Sequence, residues 1–288
     1  MLLESRNPKP KALPTLGVWQ TEDGRQAFLS CAFPDAPDFT CDTWCYESDV
    51  DFVDAKELSG GRVQMRHRWR AHSNVIVVTT VTPERGAVEF AARLENEGGA
   101  SKATPTEYPG LNACWQLKRA PAFASAPDPY PKFVARCFIF TDKGFTFLDK
   151  TDRKKIPVRP PDDPYNNPPW VQMYLPVWSP LMKAGPDAWA DYSSDRYLYP
   201  VIGAVSRDGK YLAAIANESN SGMAQAWHDC MHNNPDWLPA RSGTSRRTWR
   251  LKIYLMENNP QKLLDRMAKD FPQAMKLKDE RVPPGPTG

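Results

Sequence analysis

The clearest pattern along the chain is an alternation of apolar and polar residues with a period of two. Between Arg62 and His72, the residues Val63, Met65, His67, Trp69 and Ala71 fall on one side. Arg62, Gln64, Arg66, Arg68, Arg70 and His72 fall on the other. A strand points successive side chains to opposite faces, so this stretch predicts a half-buried strand. Residues 74–81 are apolar and β-branched, as a buried strand requires, and Val88, Phe90, Ala92 and Leu94 alternate with Glu89, Arg93 and Glu95. Further strands are expected over 112–118, 133–141, 144–149, 171–175, 197–205, 211–217 and 248–256. Asp142-Lys143-Gly144 and Arg207-Asp208-Gly209-Lys210 supply hairpin loops.

So many strands without alternating helices exclude a parallel α/β fold. The chain reads as all-β, a large antiparallel β-sandwich, with one C-terminal α-helix. That helix is marked over 260–271 by Asn259 as N-cap, Pro260 at the first position, and an apolar stripe of Leu263, Leu264, Met267 and Phe271; Pro272 stops it. It is expected against the sheet edge. Residues 15–275 read as a single domain, with flexible segments at 1–14 and 276–288. The proline-dense run between Lys154 and Pro169 reads as a long surface loop of the kind that frames binding sites.

Composition sharpens this in two places. Among 288 residues there are 29 prolines, which favour turns over long helices, and 10 tryptophans, more than an aliphatic core calls for. The formal charge of +3, from 37 basic and 34 acidic residues, argues against a nucleic-acid partner, which needs a strong basic excess. No run of apolar residues is long enough to predict a membrane span. The first fourteen residues lack the apolar core of a signal peptide, although a secreted or periplasmic setting suits the reading developed below. The six cysteines, at 31, 41, 45, 114, 137 and 230, form no zinc-ribbon knots; Cys41 and Cys45 are close enough to pair, and most read as buried thiols.

Phosphate-binding loops, GxGxxG, GxSxG and HExxH motifs are absent from the sequence. Three concentrations of chemistry remain. The first is Trp227-His228-Asp229-Cys230-Met231-His232, followed by Asn233-Asn234-Pro235-Asp236-Trp237. If this segment is extended, His228, Cys230 and His232 share a face, with the two imidazoles about 13 Å apart and unable to hold one ion. If it turns, as Asn-Pro favours, a divalent metal could be held by His228, His232 and Asp236, with Asp229 or Cys230 as further donors.

The second concentration is the basic face of Arg66, Arg68, Arg70 and His72, which needs carboxylates or an anionic ligand opposite it. Glu89 and Glu95 are the partners expected if the face is merely salt-bridged. The third is the group of aromatic residues Trp170, Tyr174, Trp178, Trp189, Tyr192, Tyr197 and Tyr199 with Trp227 and Trp237, suited either to sugar rings or to a wide core.

The length, the strand count and phrases such as Val88-Glu89-Phe90-Ala91-Ala92-Arg93-Leu94-Glu95-Asn96 resemble the galactose-mutarotase-like supersandwich proteins and related polysaccharide lyases. The His-x-Cys-x-His-x-x-Pro segment from His228 to Pro235 is similar to one in proteins of no assigned activity. The first resemblance implies a sugar site on a concave sheet face. The expected function is carbohydrate-active, a lyase cleaving beside a uronic acid by β-elimination. His228 or His232 would be the base and Tyr197 the acid, with Arg66 or Arg68 neutralising the enolate. Arg70, His72, Trp227 and Trp237 would join Arg66 and Arg68 in holding a glycan or small sugar. The alternatives are a non-catalytic carbohydrate-binding module, or a hydrolase or epimerase on the same fold.

Overall fold

The computed structural model describes residues 13–20, 22–24, 27–33, 40–44, 50–70, 72–97, 114–117, 120, 122–124, 130–153, 171–179, 190–218, 221–226, 229–235 and 248–279. Their strands form two sheets. The first has eight strands, in the spatial order β1 (Thr15–Gln20), β2 (Ala27–Ala32), β3 (Thr40–Trp44), β8 (Cys114–Gln116), β16 (Cys230–Pro235), β15 (Ser221–Ala226), β11 (Val171–Pro176) and β12 (Ala190–Tyr197). The second has nine, in the order β10 (Gly144–Phe147), β9 (Cys137–Thr141), β13 (Val201–Val205), β14 (Tyr211–Asn217), β17 (Thr248–Glu257), β7 (Ala87–Asn96), β6 (Val75–Glu84), β5 (Val63–Trp69) and β4 (Val50–Glu57). Neighbours pair antiparallel except β11 and β12, which run parallel.

The sheets pack face to face. Leu16, Val18, Leu29, Cys31, Tyr174, Met223 and Met231 from the first meet Met65, Val81, Val88, Ile139, Ile202, Ile215 and Ile253 from the second in one buried cluster. The alternation in β5 is realised, with Val63, Met65, His67 and Trp69 buried and Gln64, Arg66 and Arg68 less so. A polar bolt crosses the apolar layer. Asn217 Nδ2 donates to Asn233 Oδ1 at 2.7 Å, and Asn233 Nδ2 donates to the carbonyls of Pro200 and Ile215 at 2.9 and 2.8 Å. Both amides are fully buried, and this pairing offsets their desolvation.

The C-terminal helix, α2 (Pro260–Asp270), begins as the sequence implies, with the Asn259 side chain accepting from the Lys262 amide. It does not lie against a sheet edge. Leu263, Met267 and Phe271 pack on the outer face of the nine-stranded sheet, against Ala87, Phe138, Phe140, Val201, Leu212, Ala214 and Tyr254. The reason is that the outward positions of β9, β13 and β14, with Tyr254 of β17, are themselves apolar and need cover. Gly203 serves the same face: a Cβ there would lie 2.4 Å from Phe138 Cζ, so its absence admits the ring. A short helix, α1 (Tyr130–Val134), occupies the start of the strand expected over 133–141, which begins at Cys137 instead. Residues 274–279 form a 3-10 helix where a flexible tail was expected from 276. Among the described residues no helix is long and apolar enough to cross a membrane.

Candidate functional site

The residues expected to act together lie in three separate places. Arg66 and Arg68 point outward from the nine-stranded sheet, because Met65 and His67 between them point inward. Arg66 binds Asp54 Oδ2 at 3.0 Å and Glu97 Oε1 at 3.2 Å, Arg68 binds Glu97 Oε2 at 2.7 Å, and Arg70 binds Asp51 Oδ1 at 2.9 Å. The partners are therefore on β4 and in the turn after β7, rather than Glu89 and Glu95. The hydrogen bond from Arg68, with the positive field of both arginines, holds the Glu97 carboxyl below its ordinary range. His72 lies against the Trp69 ring, with centroids 4.4 Å apart. These arginines are neutralised within the sheet, and exposed pairs of this kind add little stability.

In the His228–Pro235 segment the extended alternative holds from Cys230 onward, since Cys230–Pro235 is strand β16 and Asn234-Pro235 makes no turn. Met231 and Asn233 point into the sandwich, so Cys230 and His232 point out of the eight-stranded sheet. Cys230 packs there with Val171, Met173, Ala190 and Ala224, its Sγ 3.4 Å from His232 Nε2. His232 thus faces away from the arginines by the whole thickness of the sandwich. Tyr197 belongs to neither face: it is fully buried in the inter-sheet core. His228, Trp227, Asp236 and Trp237 lie outside the described residues. Among the described residues no group of three or more His, Cys, Asp or Glu side chains could hold a metal ion.

Two polar clusters gave no sequence signal. On the outer face of the nine-stranded sheet, Lys252 is 2% exposed and its Nζ lies 2.9 Å from Glu84, 3.1 Å from Glu89 and 3.2 Å from Asp270. Arg250 grips Glu89 with two bonds of 3.0 Å, and Tyr254 donates to Asp270 at 2.8 Å. Burial alone would raise Glu89, but the hydrogen bonds from Arg250 and Lys252 outweigh it and hold the carboxyl below its ordinary value. Every member has a partner and the cluster ties α2 to the sheet, so its geometry is that of a clamp. The second cluster lies between the sheets, around Arg153, Tyr174 and Gln225. Tyr174 shares a hydrogen bond of 2.9 Å with Thr151, and burial pushes its hydroxyl up to about 12.

An open hollow of 410 Å³ lies on the outer face of the nine-stranded sheet, between the β9–β10 hairpin and the first turn of α2. Phe140, Phe145 and Tyr199 supply aromatic surface, and Leu198, Pro260 and Leu264 extend it. The rings pack edge to face, Phe140 against Phe145 at 5.6 Å and against Tyr199 at 6.0 Å between centroids. Thr141, Asp142 and Gln261 add polar groups. Gln261 is held by Asp265 at 2.9 Å and Thr141 by Thr146 at 2.8 Å, whereas Asp142 is exposed. Tyr199 stood among the aromatic candidates, but the hollow itself was hidden in the sequence because the helix that borders it begins 61 residues further on. The volume falls in the range of roughly 300–1,000 Å³ usual for small-ligand clefts. Comparison of the chain with protein-family models and with curated proteins finds no match.

Proposed function

We propose that the protein binds carbohydrate, without itself cleaving it, through the aromatic hollow beside α2. The observation that carries this reading is the combination of Phe140, Phe145 and Tyr199 with an exposed carboxylate, Asp142, in one open depression. Aromatic surface covers the CH-rich face of a sugar ring at little entropic cost, while carboxylate and amide groups take its hydroxyls. Binding is favoured over the lyase chemistry expected from the sequence because the described members of that set do not share a cleft. Tyr197 is sealed in the core, His232 faces outward from one sheet, and Arg66 and Arg68 face outward from the other.

The test is a glycan array with the wild-type chain, followed by calorimetric titration of the glycans retained. Tyr199→Ala and Phe145→Ala are each expected to weaken binding tenfold or more, the loss of about 1.4 kcal/mol that one aromatic contact supplies. Retention of no glycan, or retention indifferent to both substitutions, overturns the proposal. Unsaturated uronate products on incubation with polysaccharides would restore the lyase.

A further inference from the structure

On the outer face of the eight-stranded sheet, across the sandwich from the hollow, Cys230 and His232 lie two residues apart on β16. Cys230 is fully buried among Val171, Met173, Ala190 and Ala224, and His232 reaches partly into solvent. The Cys230 Sγ and the His232 Nε2 are 3.4 Å apart. A tetrahedral zinc ion bonded to a thiolate at about 2.3 Å and an imidazole at about 2.05 Å holds those two atoms about 3.6 Å apart. The pair is therefore spaced as two ligands of one ion. Alone it is one donor short of a three-ligand site. The backbone register supplies the position of a third, because Cys114 of β8 is the Cα partner of His232. Residues directly opposite on antiparallel strands share a face, with Cβ atoms roughly 4.5–5.5 Å apart, a span that one bridging ion covers.

The donor set selects the ion. Thiolate and imidazole suit zinc, whereas magnesium and calcium take oxygen ligands. Two thiolates and a neutral imidazole cancel the double charge of the ion, so the complex brings no net charge into the apolar surroundings of Cys230. Copper(I) would leave a negative charge there. Each thiol gives its proton to solvent as its sulfur bonds the metal, and the imidazole binds through Nε2 with its proton on Nδ1. The partly exposed His232 gives the ion a way in and leaves the fourth position to water, a recurring zinc arrangement. We infer that Cys114, Cys230 and His232 form a binding site for one zinc ion.

The experiment is titration of the tag-free full chain, reduced with a phosphine and stripped by a chelator, with cobalt(II) as the spectroscopic probe and with zinc. A single equivalent of cobalt should bring up a thiolate-to-cobalt charge-transfer band with the visible bands of a tetrahedral ion, and zinc should displace it. Zinc added to the stripped protein at neutral pH should release about two protons per ion, one from each thiol. Cys114→Ser and Cys230→Ser should each remove about half of the charge-transfer intensity, and His232→Ala should keep it. All three should weaken zinc at least about tenfold, as the loss of even an outer-shell partner does. Absence of the charge-transfer band at saturating cobalt overturns the inference. So does a band unchanged in either cysteine variant, or a zinc affinity unchanged in His232→Ala. Should Cys230→Ser fail to fold, Cys114→Ser and His232→Ala decide by the same criteria.

Discussion

His67 offers the sharpest quantitative handle on this fold. It projects inward from β5 between Met65 and Trp69, is 2% exposed, and meets the Phe52 ring edge-on with centroids 5.5 Å apart. Burial disfavours the imidazolium and lowers the group from 6.5 to about 4. The unfolded chain takes up its proton near 6.5 and the folded chain only near 4, so the unfolded state binds the extra proton between these values. The stability that His67 contributes as a neutral ring is therefore complete above pH 6.5 and is lost as pH falls towards 4. The full shift corresponds to about 3 kcal/mol, of which about 2 kcal/mol is already lost at pH 5. His67→Leu removes the titration while keeping an apolar group of similar size. Urea unfolding between pH 7.5 and 5 should show the wild type falling about 2 kcal/mol further than the variant over that range. Parallel stability curves for the two proteins, or a His67 resonance titrating near its ordinary value in the folded state, would refute the burial argument.

Two further outcomes follow from the outer face of the nine-stranded sheet. Lys252→Met leaves Glu84, Glu89 and Asp270 without their shared cation and should cost about 3 kcal/mol at neutral pH, the low end for a broken buried pair because the carboxylates keep some solvent. Glu89 is depressed in the folded wild type, so its contribution is present above its ordinary 4.5 and lost as pH falls below it; the deficit of the variant should narrow over the same window in denaturation curves. Gly203→Ala forces a methyl group against Phe138 and the Ala213 carbonyl and should destabilise by about 1–3 kcal/mol, read as a lowered urea midpoint at unchanged m-value.

The parts of the fold that were legible are those where one face is apolar and the other is not. The alternation in β5, the apolar run of β14 over 212–216, and the Asn259 cap all reappear in the structure. Seven strands were missed, β1 to β4, β12, β15 and β16, and in the last three buried positions are polar. In β15 and β16 the inward residues include Gln225 and Asn233, and Asn233 is tolerable there because the Asn217 side chain and the Pro200 and Ile215 carbonyls satisfy it. A partner in another sheet leaves no trace in the local pattern, so Asn234-Pro235 read as a turn signal. Strand β12, with the sequence ADYSSDRY, hides for the same reason, since Ser193 is buried by bonding the Asp152 carbonyl at 2.6 Å. The candidate site was less legible still. The basic face was visible, but its neutralising partners Asp51, Asp54 and Glu97 were not. Phe140 and Phe145 become walls of a hollow only when a distant helix is folded against them.

The central claim is that a sugar occupies the hollow beside α2, and methyl NMR addresses it most directly. Leu198 and Leu264 line the hollow, while Val171 and Met173 lie beside Cys230 on the outer face of the other sheet. Titration with a glycan retained on the array should shift the methyl signals of Leu198 and Leu264 and leave those of Val171 and Met173 in place. Shifts at Val171 and Met173 with none at Leu198 and Leu264 would contradict the account.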